Sequence, residues 1–243
     1  MTIPQIYMTG TILNVVAIIL GTIIGLLLGK KFNENLKNTI VAGIGIFTLF
    51  LGCSMFLKSE NSTISLIGLV IGTCLGEWWN IEKALEQLGG SFQQFSEKVF
   101  GKERSGGKER FIQAFLTATL LFGIGPVSIL GSIQDGLTGD YNLLAIKSIL
   151  DGITSIVFAS TLGFGVAFSA IPIFVYQGLI SLLAGNAQAV MTDSMIAEMS
   201  ATGGIMLGAI ALSSMMNIKK IRVSSMIPAL VITPILVWLV ARF

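Results

Sequence analysis

The sequence predicts an all-α protein: a polytopic transmembrane helical bundle of about eight spans, forming one domain over residues 1–243. Three observations predict it. Hydrophobic residues fill 53% of the 243 positions and charged residues only 12%, with a mean hydropathy of +0.84, whereas a water-facing fold carries about 25% charged residues. The apolar runs approach 20 residues, the length at which a helix crosses about 30 Å of hydrocarbon. The breaks between those runs hold nearly all of the charge.

The first span falls at 10–29. No basic segment precedes it, so it reads as a retained helix and not as a cleaved signal. Its Gly21, Gly25 and Gly29 make a small-residue stripe suited to helix packing or to a homodimer contact. Spans two and three, 39–57 and 63–79, contain Cys53 and Cys74. These cysteines have no metal-ligand spacing and read as small packing residues.

Residues 80–110 differ in kind. Ile81, Leu85, Leu88, Phe92, Phe95 and Val99 recur at helical spacing, which predicts an amphipathic helix on the membrane surface, broken near Gly89–Gly90. A flexible basic linker follows. Glu103 and Glu109 interleave with its bases, so nucleic acid is not an expected partner.

The fourth span, 111–133, contains Gly123, Gly125 and Pro126, so a broken or re-entrant helix is expected around 123–132. Spans five and six, 145–167 and 169–190, meet without any charge between them, and Pro172 marks the expected turn or kink. Spans seven and eight fall at 200–216 and 223–241.

Orientation follows from the bases. Lys30, Lys31 and Lys37 follow span one. Lys83, Lys98, Lys102, Arg104, Lys108 and Arg110 follow span three, and Lys219, Lys220 and Arg222 follow span seven. With eight spans all of these fall on one side, and Glu60, Asp135, Asp140, Asp193 and Glu198 fall on the other. The expected location is a cytoplasmic membrane, with both termini outside the cytoplasm.

Internal matches suggest a 4+4 duplication, residues 10–133 against 145–241. Thr11-Ile-Leu-Asn14 corresponds to Ser148-Ile-Leu-Asp151, and Gly68-Leu-Val-Ile-Gly72 to Gly204-Ile-Met-Leu-Gly208. Both of the latter spans run into Asn-Ile-x-Lys, at Asn80 and at Asn217. Duplicated halves with a site at their interface are a transporter habit.

Polar groups in hydrocarbon need internal partners, so the intramembrane ones are informative. Asn14 and Asp151 occupy matching depths and are candidates to face one cavity. Lys147 lies four residues before Asp151 on the same helix face, and charge compensation or reach toward water are both open to it. The break at Gly125 and Pro126, with Ser128, Ser132 and Gln134, offers backbone and side-chain ligands for an ion or solute. Asp135 and Asp140, flanked by Gly136 and Gly139, read equally as a path mouth or an exposed turn. Gln177, just past Pro172, either bridges helices or lines the path. Ser200, Thr202, Gly203 and Gly204 near Glu198 read as helix packing. The chain has no histidine, which removes the commonest general base and metal ligand. No nucleophile–base pair or metal triad stands out, so neither an enzyme nor a cofactor is expected.

The blocks Gly-Thr-Ile-Leu-Asn (10–14), Gly-Pro-Val-Ser-Ile-Leu-Gly-Ser-Ile-Gln-Asp-Gly-Leu-Thr-Gly-Asp (125–140), Lys-Ser-Ile-Leu-Asp-Gly (147–152) and Ser-Ala-Ile-Pro-Ile-Phe-Val-Tyr-Gln-Gly (169–178) carry a resemblance. In that order they resemble the YdfK/YqgA family of bacterial inner-membrane proteins, over nearly the whole chain. The resemblance implies a bacterial cytoplasmic-membrane location. It supplies no substrate, because the family is known chiefly as a domain of unknown function. The residues themselves point to a secondary transporter or channel for an ion or small polar solute. The alternative is a structural or regulatory membrane protein whose buried polar residues serve assembly.

Overall fold

The computed structural model describes residues 7–101, 107–185 and 191–242. The described residues are helical and contain no strand. In chain order the helices are α1 (Thr9–Gly29), α2 (Glu34–Phe56), α3 (Ser62–Trp78), α4 (Ile81–Phe100), α5 (Lys108–Gly123) and α6 (Pro126–Thr138). They continue with α7 (Asn142–Leu162), the single turn α8 (Gly165–Phe168), α9 (Ala170–Leu182), α10 (Asp193–Ile210) and α11 (Ala229–Val240). A π-helical stretch, Ala211–Met215, extends α10, and a 3-10 turn, Val223–Met226, leads toward α11.

The boundaries have local causes. Asn33 caps α2 by accepting from the Leu36 amide at 2.8 Å, and Thr192 caps α10 by accepting from Met195 at 3.3 Å. Gly125, at φ 147°, takes a conformation closed to other residues, and Pro126 opens α6 where its missing N–H costs nothing. The chain bends there by 64°. The expected break in the fourth span is therefore present.

Among the described residues six stretches are long and apolar enough to cross a membrane: α1, α2, α7, α8–α9, α10 with its π segment, and Val223–Val240. Counting the bent pairs α3–α4 and α5–α6 as one span each gives eight.

Helix pairing is set by glycine. α1 and α7 run parallel and make the most extensive contact in the bundle. A methyl group on Gly21, Gly25 or Gly29 would collide with the carbonyls of Gly152, Ile156 and Ser160 in turn. The glycine stripe of the first span is thus used inside the chain, which removes it as a homodimer surface. α2 packs antiparallel on α10, with Gly52 against Gly204, and α3 packs antiparallel on α11, with Gly72 against Ala229.

The surface helix α4 forms as its spacing predicts, but it is continuous. Gly89 sits inside it, where an added Cβ would lie 3.0 Å from the Phe115 ring of α5. Phe92 meets Phe115 and Phe168 at ring separations of 5.5 and 5.4 Å, fastening α4 to α5 and α8. The turn between spans five and six also differs from expectation. Gly163, at φ 98°, ends α7, and Pro172 lies harmlessly in the first turn of α9. The centre of the preceding linker (102–106) and the end of the expected sixth span (186–190) lie outside the described residues.

The segments behind the expected duplication agree locally but not in packing. Asn80 and Asn217 share a left-handed backbone, at φ 54° and 51°. Gly68 and Gly72, however, pack on α11, whereas Gly204 packs on α2. A duplicated architecture is not established.

Contacts gather the basic segments at one end of the bundle. Gln113 donates to the Ser214 carbonyl, the Ser224 amide to Glu82, Arg110 to the Thr161 carbonyl, and Arg222 pairs with Glu77. α1 ends near this face and α11 starts near it, so the start of α1 and the end of α11 both lie at the opposite end.

Candidate functional site

The parallel crossing of α1 and α7 places Asn14 against Asp151. Glycines on α1 let the two backbones approach, and α9 crosses them near the start of α1. Lys147, one turn before Asp151, spans both carboxylate oxygens at 2.9 and 2.7 Å. The Asn14 amide donates to Asp151 Oδ2 at 3.1 Å and to Gln177 Oε1 at 3.3 Å. Asn14 and Gln177 are wholly buried, and the Lys147 and Asp151 side chains are only 10% and 9% exposed. Lys147 is therefore committed to Asp151 and does not extend to water. The network is also incomplete, since Asn14 Oδ1 and Gln177 Nε2 have no partner among the described residues.

The second part of the site is α6. Ser128 donates to the Phe122 carbonyl at 3.1 Å, bridging the break from the α6 side, and Ser132 back-bonds to Ser128. The Ser181 hydroxyl on α9 donates to the Ser132 carbonyl at 3.0 Å. Asp135, for which a path mouth and an exposed turn were both open, is buried within α6. Gly136 has no side chain and lets α6 approach the α9 backbone at Ser181, turning Asp135 inward. Its Oδ2 accepts from the Gly10 amide at 2.8 Å, while Oδ1 has no partner. The next residue on α1, Thr11, is also fully buried with an unpartnered hydroxyl.

Two predicted residues stand apart from this network. Gln134 Nε2 donates to Asp140 Oδ2 at 2.6 Å, and Asp140 Oδ1 accepts from the Asn142 amide at 3.1 Å. Together they close the α6–α7 turn, whose αL position is Gly139 (φ 73°).

A third buried carboxylate escaped the sequence reading. Glu198, taken as an outer-loop acid, is 1% exposed on α10. It accepts from the Glu60 and Asn61 amides at 2.7 Å each, from Ser59 Oγ at 2.7 Å and from Ser65 Oγ at 2.6 Å. These donors surround the start of α3, where unpaired amides and the helix dipole favour an anion. The only sequence signal was an acid set directly before a small-residue apolar run.

At the basic end, α4, α5 and the π segment border a cavity of about 860 Å³. Lys83, Lys108 and Lys220 line it together with Glu82, Glu86 and Glu109. Thr117 of α5 lines it and is buried with an unpartnered hydroxyl.

The fold and site define a polytopic helical membrane protein with a buried, incompletely satisfied polar core. The chain belongs to the family described as "Protein of unknown function (DUF554)", which matches residues 9–238. Over 240 residues it is 33% identical to the uncharacterized membrane protein YdfK of Bacillus subtilis (strain 168), covering 97% of this chain and 98% of that protein. It is 29% identical over 223 residues to the uncharacterized protein YqgA of Escherichia coli (strain K12), covering 92% and 93% respectively. No solved structure matches the chain.

Proposed function

We propose that this protein is a small secondary transporter or channel that moves an ion or small polar solute across the bacterial cytoplasmic membrane. The observation that carries this reading is the open polar network at the α1–α7 crossing, beside a helix broken within its span. Buried groups kept only for assembly are driven to complete their hydrogen bonds, because each unmet one is costly in hydrocarbon. Here an acceptor on Asn14 and a donor on Gln177 remain free next to an ion pair.

On this reading the path runs from the basic-end cavity along α5, past the break at Gly125–Pro126, to Asn14, Asp151 and Gln177. Ser128, Ser132 and Asp135 line its outer half, and Gln134 and Asp140 stand at the rim. The basic end faces the cytoplasm by the positive-inside rule, which places both chain ends outside. The partners are the bilayer and the solute. The protein acts without catalysis or a cofactor.

The test is a thermal-shift screen of purified protein against ions, amino acids and organic acids, followed by flux in vesicles with the best stabiliser. An Asp151→Asn variant that still inserts and folds should lose both the stabilisation and the flux. Undiminished flux in that variant removes Asp151 from the mechanism.

A further inference from the structure

The three buried carboxylates are neutralised to different extents. Glu198 receives four donors at the start of α3. Asp151 has the Lys147 ammonium on both oxygens. Asp135, 0% exposed, has one backbone amide on one oxygen and no partner among the described residues on the other. The ion pairs among the described residues join Lys37 to Glu34, Lys147 to Asp151 and Arg222 to Glu77, and none reaches Asp135. The start of α1 offsets roughly half a charge at Gly10. The remainder of the carboxylate charge is unbalanced in a water-poor interior, where an ionised group needs a counter-charge.

Two other unpartnered oxygens lie on the same stretch of α1. Thr11 directly follows the glycine whose amide Asp135 holds, and Asn14 is one turn further on the same face. Both are completely buried, and Thr11 Oγ1 and Asn14 Oδ1 both lack a hydrogen-bond partner. A carboxylate, a hydroxyl and a carboxamide oxygen are hard ligands of the kind that suit alkali and alkaline-earth cations. A single carboxylate balances a single positive charge. No group of three or more His, Cys, Asp or Glu side chains stands together among the described residues, so a divalent multi-carboxylate centre does not fit.

We propose that Asp135, with the free oxygens of Thr11 and Asn14, binds one monovalent cation of the sodium class between α1 and α6. This rests on the transport reading of the same core, and it assigns cation binding to Asp135 and not to Asp151, which already has Lys147. Asn14 then joins the two halves of the site. Its amide nitrogen is held by Asp151 and Gln177, and its oxygen turns to the ion.

The experiment is a thermal-stability titration of purified protein with sodium chloride, with potassium chloride and choline chloride at equal ionic strength as controls. Sodium should stabilise the wild type saturably and choline should not. Asp135→Asn should abolish the sodium response. Thr11→Val, which keeps the shape and removes one ligand, should raise the half-maximal sodium concentration about tenfold. The Thr11→Val arm decides the matter if Asp135→Asn fails to fold. A wild type indifferent to cation identity overturns the proposal. An unchanged sodium midpoint in Thr11→Val overturns it as well. Sodium binding without any transport would leave this site standing and sink the transport reading, whereas transport without sodium binding would do the reverse.

Discussion

Asp151 on α7 and Glu198 on α10 are both buried carboxylates within apolar helices, yet their surroundings teach opposite lessons. Glu198 faces the start of α3, and every donor it meets belongs to one short turn and the helix that follows. That arrangement is closed: it fixes the α2–α3 turn to α10 and leaves no capacity for a guest. Asp151 faces side chains from α1 and from its own helix, and the residues it organises keep free atoms. Completeness of hydrogen bonding, more than burial, separates the two carboxylates.

The sharpest way to break this comparison is Lys147→Ala. It leaves the Asp151 charge buried with only Asn14 beside it, a loss of about 3–5 kcal/mol for a broken buried pair. The expected result is a large fall in the unfolding midpoint, partly recovered in the Lys147→Ala/Asp151→Ala double variant. No recovery would show that the two side chains act independently.

Glu198→Gln should have a smaller effect. An amide nitrogen in place of one carboxylate oxygen turns a donor toward the donors of the α3 turn, costing about 1–3 kcal/mol. The unfolding midpoint should fall while the response to ions and solutes is kept. A lost ligand response would add Glu198 to the proposed path.

Asp140→Asn should matter least, at about 0.5–1 kcal/mol, because it weakens hydrogen bonds at a partly exposed turn. Flux and stability should both stay near wild type. A severe transport defect would place the rim, and not the core, in control of passage.

Much of the bundle was legible in the sequence, because crossing a membrane imposes a length and a composition that survive any tertiary arrangement. The break at Gly125–Pro126 was legible for a similar reason, since glycine and proline act on their own backbone. The α4 helix showed in its spacing, but Gly89–Gly90 read as an interruption because the neighbour that Gly89 lies against is Phe115 on another helix. Asp135 stayed open between a path mouth and an exposed turn, because its flanking glycines look like a turn until α9 is seen against Gly136. Glu198 was invisible because its donors lie 133 to 139 residues earlier in the chain. Asn14 and Asp151 were singled out through matching sequence segments. The structure brings them within hydrogen-bond distance without establishing the duplication that suggested them.

The α1–α7 contact also has a consequence in time. Asn14 and Asp151 are separated by 137 residues, and synthesis at about 5–20 residues per second delivers one roughly 7 to 30 s after the other. During that interval the first helix carries its glycine groove, its threonine and its asparagine without the partner that will cover them. The polar core is therefore completed late in biogenesis, and an insertion pause between α1 and α7 prolongs the stage at which the nascent chain is most open to wrong partners.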